Sequence, residues 1–229
     1  MKQLNRKQMM GEVLGTFALV FAGTGAIISN DVGGGSVSHV GIAITFGLII
    51  LALIYALGDV SGAHFNPAVT LAFWAARRLE GGRVMPYILC QCAGGIAASV
   101  LLRLLFPQHQ TLGMTLPAGS SAQSFVFEVV LTMLLMFVIL SVSTGAKEKG
   151  ITAGIVIGAV IGLEAMFAGP ISGASMNPAR SLAPALVAGQ LGSLWIYLLA
   201  PTLGALVGVL VCRSIREPGC CDGKCSVNA

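Results

Sequence analysis

The chain has 229 residues, of which 55% are apolar and only 10% charged, with a net charge of +4 and a mean hydropathy of +0.88. A soluble domain carries about 25% charged residues, so that class is excluded and an integral membrane protein remains. The basic residues stand in short clusters between apolar runs, with no basic patch interleaved with aromatics, and nucleic acid is therefore not an expected partner.

Breaks at Gly, Pro, polar and charged residues predict spanning helices at 10–29, 39–57, 84–106, 124–143, 151–168 and 193–212. A hydrocarbon core about 30 Å thick takes roughly 20 residues of helix to cross. Helices rather than barrel strands fit such runs, and the fold class is all-α. Lys2, Arg6 and Lys7 precede an apolar run too long for a signal-peptide core, so the first run is expected to be a retained helix. With the N-terminus inside, Lys2, Arg6, Lys7, Arg77, Arg78, Arg83, Lys147, Lys149, Arg213, Arg216 and Lys224 all fall on the cytoplasmic side. That orientation obeys the positive-inside rule and predicts a multi-pass protein of the cell membrane with both termini cytoplasmic. Of the two remaining cations, Arg103 lies four residues before Pro107 and is expected to snorkel outward. Arg180 requires a different reason.

Two apolar runs, 67–78 and 178–188, are too short to span, at about 16–18 Å of helix. Each opens inside a copy of one motif. Ser61-Gly62-Ala63-His64-Phe65-Asn66-Pro67-Ala68-Val69-Thr70-Leu71-Ala72 and Ser172-Gly173-Ala174-Ser175-Met176-Asn177-Pro178-Ala179-Arg180-Ser181-Leu182-Ala183 agree at eight of twelve positions, 111 residues apart. Each half holds three spans, so the second copy is inverted in the membrane. The channel domain is expected over 1–214, with repeats about 8–106 and 124–214, and a Cys-containing cytoplasmic tail over 215–229. Glu12 and Glu128 sit in the first helix of their halves, 54 and 49 residues before the Asn of each copy. Midplane sites built by broken helices are what inverted repeats produce.

Asn is a preferred helix N-cap and Pro is suited to the first helical position, so Asn66-Pro67-Ala68 and Asn177-Pro178-Ala179 are predicted to start two half-helices. The first is expected to end at Arg77 and Arg78, cations favourable at a helix C-terminus. Their N-termini then meet near the bilayer centre, each carrying about half a positive elementary charge. The stretches 61–65 and 169–176 are predicted to be irregular, and such backbone is tolerated at membrane depth only when buried in protein or lining water. One Asn-Pro by itself reads as a turn; the duplication removes that reading. Each carboxamide can cap its helix through oxygen and offer amide hydrogens to a passing solute, while positive helix ends and a guanidinium repel cations and protons. Arg180, costly inside a span, is expected to face the pore as a donor rather than to snorkel to lipid.

Together, the paired Asn-Pro-Ala motifs, Arg180, Glu12, Glu128 and six spans resemble the major intrinsic protein family of aquaporins and aquaglyceroporins. Residues 15–17, 19–23 and 166–177 are most similar to its plant nodulin-like branch, whose members pass water, glycerol and uncharged metalloid acids. The resemblance implies a homotetramer with one pore per subunit, no cofactor and no enzymatic activity. It also implies an outer constriction at Phe46, Ala165, Ala174 and Arg180. Strict water channels of the family put His at the position of Ala165, so two alanines imply a wider filter, passing water and small neutral solutes such as glycerol-like polyols or arsenous and boric acid. A strictly water-selective pore is the alternative. By the same resemblance Glu12 and Glu128 hold the re-entrant loops, and His64 hydrogen-bonds within the loop of the cytoplasmic half. Asp59 stands where the family has His, and Glu164 either lines the outer vestibule or is a buried partner.

Glycines spaced four apart at Gly11/Gly15, Gly154/Gly158/Gly162 and Gly204/Gly208 predict close helix contacts. Cys90, Cys92 and Cys212 lie in or beside spans, and Cys220, Cys221 and Cys225 in the tail. In a reducing cytoplasm disulfides are not expected. Three thiolates within six residues are weak candidates for a soft metal or trivalent arsenic; the other reading is a disordered end. A coupled secondary transporter shares the inverted-repeat plan but calls for acidic residues beside the motifs. An intramembrane enzyme calls for a Ser/His, Cys/His or metal-ligand constellation, which the sequence does not bring to one depth.

Overall fold

The computed structural model describes residues 5–143, 147–217 and 219–222. Lys2, Lys224 and Cys225 lie outside the described residues, as do the side chains of Lys147 and Lys149. Eight helices occur among the described residues: α1 (Arg6–Val32), α2 (Ser38–Ser61), α3 (Pro67–Ala75), α4 (Gly81–Leu105), α5 (Ser121–Val142), α6 (Lys147–Ser172), α7 (Pro178–Ala188) and α8 (Leu194–Ile215). Six are long and apolar enough to cross a membrane, and α3 and α7 are the two short ones.

Several helices run a turn beyond their expected ends, α2 to Ser61 among them, and two boundaries depart for evident local reasons. Helix α3 stops at Ala75 rather than at Arg78, because Arg77 turns into the left-handed region with φ 59°. Helix α6 runs on through Pro170 to Ser172, so the irregular stretch begins at Gly173, not at 169. Proline lacks the N–H that would pair with the carbonyl four residues back, here that of Met166. His39 on α2 supplies the substitute, with its Nε2 2.7 Å from that oxygen. Arg103 also differs: its Nη1 donates to the carbonyls of Pro107 and His109 at 3.2 and 2.7 Å, tying down the loop after α4 instead of reaching outward alone.

The duplication is visible in the packing. Helix α1 packs on α2 and α4 as α5 packs on α6 and α8, while α7 lies on α4 as α3 lies on α8. Across the pseudo-twofold axis α2 meets α6 and α3 meets α7. Glycine permits the closest crossings: a Cβ on Gly94 would stand 2.2 Å from the carbonyl oxygen of Val13, and one on Gly204 2.3 Å from that of Val129. Those positions are equivalent in the two halves, and small residues at such crossings let backbones touch.

The expectation that disulfides are absent is overturned. Cys212 near the end of α8 is bonded to Cys221, with the Cα atoms 6.1 Å apart, a separation that a disulfide spans. Cys220 is disulfide-bonded as well. Neither is thus a thiolate ready for a metal in this structure, and no cluster of three metal-ligating side chains is present among the described residues. Cys90 and Cys92 are free.

Candidate functional site

Both loops between a long and a short helix follow one backbone course. Gly62, Ala63 and Phe65 have φ of 86°, 51° and 47°, and Gly173, Ala174 and Met176 have 86°, 42° and 52°. Left-handed backbone at a residue other than glycine costs of order 1–3 kcal/mol and persists only where the surroundings impose it. Here a buried carboxylate does so in each half. Glu12 Oε1 accepts from Ser61 Oγ (2.7 Å) and the His64 amide (3.0 Å), and its Oε2 from the Phe65 amide (2.8 Å). Glu128 Oε1 accepts from Ser172 Oγ and the Ser175 amide (both 2.9 Å), and its Oε2 from the Met176 amide (2.8 Å). Charge-assisted bonds of this kind are the strong ones.

The two Asn residues act as predicted at the helix starts and do more. Asn66 Oδ1 accepts from the amides of Ala68 and Val69, and Asn177 Oδ1 from those of Ala179 and Arg180. Each Nδ2 also donates across the axis, Asn66 to the Met176 carbonyl at 2.7 Å and Asn177 to the Phe65 carbonyl at 2.8 Å. Since a carboxamide carries two N–H donors, one hydrogen braces the opposite loop and one remains. Pro67, Ala68, Pro178 and Ala179 form the buried first turns of α3 and α7.

A continuous cavity of about 350 Å³ passes this junction. Its walls include Asn66 and Asn177 at the centre, Asp59, Phe73 and Ser143 towards one end, and Phe46, Ala165, Ala174 and Arg180 towards the other. The four residues named from the family resemblance are thus brought together on one wall system. The Phe46 ring lies 5.1 Å from the Arg180 guanidinium. Its position is held from behind, where a Cβ on Gly23 would stand 2.1 Å from the ring. Arg180 is buried, 3% exposed, and does not reach for the surface. One of its N–H groups, on Nη1, donates to the Gly113 carbonyl at 3.0 Å, and its Nε has no protein partner. The carbonyls of Gly62, Ala63, His64, Ala174 and Ser175, all residues of the wall, accept no hydrogen bond among the described residues. Donors at Asn66, Asn177 and Arg180 and acceptors along both loops thus share a wall whose remaining residues are mostly apolar.

His64 lines the cavity and its Nδ1 contacts Thr70 Oγ1 at 3.1 Å, while its ring stacks on Phe73 and meets the Tyr87 ring at a tilt. Asp59 is exposed at the end of the tube. Glu164 is 3% exposed, off the cavity wall, with its Oε2 unpartnered, so burial and not the vestibule describes it.

Several contributors were not singled out by motif. Tyr87 and Tyr197 donate to the carbonyls of Ser61 and Ser172 at 2.8 and 2.7 Å; reading the repeat beyond its twelve residues, at a spacing of 110, would have found them. Gln91 donates to Glu12 Oε2 (2.7 Å) and Thr70 Oγ1 (2.9 Å), and its signal was an amide inside a span. Gly113 and Thr115, in the loop before α5, hold Arg180 and Ser181, and no local pattern marks them.

Comparison with known proteins places this architecture. The family model described as Major intrinsic protein matches residues 1–212. The chain belongs to the major intrinsic protein family. Membership makes the cavity a channel for water and small solutes. The chain is 46% identical to Aquaporin NIP1-1 of Oryza sativa subsp. japonica over 92% of its own length and 74% of that protein. It is 44% identical to Nodulin-26 of Glycine max over 92% of its length and 78% of that protein. Its fold is similar to the X-ray structure of the aquaglyceroporin from Plasmodium falciparum, with a TM-score of 0.81 and 24% identity over 88% of this chain and 93% of that one.

Proposed function

We propose that the cavity is a passive pore for water together with small uncharged solutes, glycerol-like polyols and metalloid acids such as arsenous or boric acid, and that it excludes protons and ions without catalysing a reaction. The single observation that carries this reading is the composition of the wall around Arg180: one aromatic ring, one guanidinium and two alanines. An alanine at 165 leaves room that an imidazole would fill, and pore width together with wall donors sets what enters. Arg180 and the central Asn66 and Asn177 donate to solute oxygen, the loop carbonyls accept from solute hydroxyls, and Glu12 and Glu128 hold the loops in their strained course. His64 borders the other half of the tube. The channel unit is 1–214, with 215–229 as its tail.

The same proposal covers the setting. The positive ends of the bundle, at the start of α1 and the ends of α3 and α8, lie on one side and are cytoplasmic in a plasma membrane protein. Four copies assemble, each with its own pore.

The test is stopped-flow permeability of proteoliposomes towards water, glycerol, urea, boric acid and arsenous acid. Ala165→His is expected to lower polyol and metalloid entry by about tenfold while changing water flow by less than about twofold, as a narrowed pore would. Wild-type vesicles that pass water but take up no solute faster than empty ones would establish the strictly water-selective alternative. Uptake that saturates and follows an ion gradient would indicate a coupled transporter.

A further inference from the structure

The tail carries a device that the pore does not need in order to be a pore. Cys212 and Cys221, 1% and 3% exposed, share the apolar cluster that contains Ala76 and Phe73. The next residue along α8, Arg213, donates from Nη2 to Asp222 in the tail and to the Ala75 carbonyl, both at 3.0 Å. Ala75 is the last residue of α3, where carbonyls have no partner within the helix. The tail is therefore fastened to the end of α8 by a covalent bond at one residue and a guanidinium at the next, and the same guanidinium caps the end of the first half-helix. Three residues beyond Ala75, Arg78 donates to the Oγ and carbonyl of Ser143 at 2.9 and 3.0 Å and lies 4.8 Å over the Phe73 ring. Phe73 and Ser143 are cavity wall. One turn of chain, from Ala75 to Arg78, separates the carbonyl that Arg213 holds from the mouth of the pore.

We propose that Cys212 and Cys221 form a reversible dithiol–disulfide pair whose state sets the mouth at Phe73, Arg78 and Ser143. The inference rests on the orientation given above, because in a cytoplasm that keeps thiols reduced a disulfide is transient and redox-sensing rather than a permanent staple. The oxidant is a low-molecular-weight disulfide such as oxidised glutathione. One cysteine thiolate attacks it, forming a mixed disulfide and releasing one small thiol. The second cysteine then displaces the other small thiol and closes the protein bond. Two electrons and two protons pass from the protein dithiol to the two small thiols, and reduction runs the same steps backward. Since both sulfurs are buried in the cluster that holds Phe73 and Ala76, exchange requires the tail to lift from α8 and the end of α3, which couples the chemistry to the movement.

The test uses the full chain in proteoliposomes equilibrated across mixtures of reduced and oxidised glutathione, with non-reduced peptide mapping and stopped-flow water permeability on the same samples. The Cys212–Cys221 linked peptide is expected to appear and vanish with the glutathione ratio, and permeability to change by about twofold or more along the same titration, a typical coupling between packed elements. Cys212→Ser removes the bridge to α8 while the tail cysteines remain, and should abolish both responses. A linked peptide that survives cytosol-like reduced glutathione would overturn the proposal, as would a bridge that titrates with no change in flow, or a Cys212→Ser channel that still responds. A membrane-impermeant reductant added to one face reports the orientation separately: action only from the external face would refute the cytoplasmic tail. Absence of water flow in every redox state would sink the pore itself and the proposal with it, whereas flow indifferent to redox state sinks the proposal alone.

Discussion

The two halves of the pore are built alike where they hold the chain and differently where they face the solute. Glu12 and Glu128, Ser61 and Ser172, Tyr87 and Tyr197, and Asn66 and Asn177 make corresponding bonds to corresponding loop atoms. Around that shared frame the first half adds an amide and imidazole web of Gln91, Thr70 and His64. The second half adds hydroxyls, with Ser181 Oγ joined to Thr115 at 2.7 Å and to Ser175, and Arg180 where the first half has Val69. Repeated residues thus bear the backbone strain, while Arg180, which the proposed filter relies on, has no counterpart in the first half. A substitution that hits the frame should cost similar stability in either half, and one that makes the halves identical should cost selectivity.

The largest effect is expected at the carboxylates, and it should expose a limit to the equivalence. In Glu128→Gln the new amide faces the Met176 N–H, donor against donor, at a cost of about 3 kcal/mol. Glu12→Gln creates the same conflict with Phe65, but Gln91 beside it has a buried Oε1 without a partner. By flipping its amide Gln91 can accept from the new side chain, which holds the loss to about 2 kcal/mol. Thermal unfolding of the detergent-solubilised variants measures both. Equal losses would mean that Gln91 gives no relief and that the halves are more alike than their surroundings.

Arg180→Val copies the first half onto the second. A unit cation about 8 Å from the guanidinium is repelled by about 2 kcal/mol at an effective dielectric of about 20, so its loss should raise cation leak by about thirtyfold. Unfolding temperature should move little, because among the described residues the Arg180 side chain makes one hydrogen bond, to Gly113, and one ring contact, with Phe46, that Val would forfeit. Ion flux into proteoliposomes under a potential reads the leak. A variant as tight as the parent would shift ion exclusion to the opposed helix ends, the part that both halves share.

How much of this could be seen in the sequence follows the same division. The half-helix starts at Asn66 and Asn177 were legible because N-cap and first-turn proline are local rules, written twice. Phe46, Ala165, Ala174 and Arg180 were located through the family resemblance by their spacing from those Asn residues, and all four stand on the cavity wall. What escaped depended on contacts between distant segments. The extension of α6 past Pro170 needs His39 from another helix to take up the Met166 carbonyl. The use of the Asn amides as cross-braces needs the carbonyl of the opposite loop. The Cys212–Cys221 bond was missed because a compartment argument was set against two cysteines whose proximity only the fold reveals.

The smallest effect is the cleanest measure of equivalence. Tyr87 and Tyr197, both buried, each donate one hydrogen bond to the last helical carbonyl before a loop, Ser61 at the end of α2 and Ser172 at the end of α6. Such carbonyls have no partner in their own helix, so removing the phenol oxygen leaves a buried acceptor unpaired and should cost about 1 kcal/mol in either half. Tyr87 also touches the His64 ring, but phenylalanine keeps that contact, so Tyr87→Phe tests the hydrogen bond alone. The two tyrosines share no partner and act on different loops, and independent sites add to within about 0.5 kcal/mol. The double variant should therefore lose about 2 kcal/mol. A loss clearly larger than the sum would show that the loops support one another through the crossed Asn66 and Asn177 bonds, making the frame one unit instead of two copies; a loss confined to Tyr87 would show that the polar web around His64, and not the repeated tyrosine, holds the first loop.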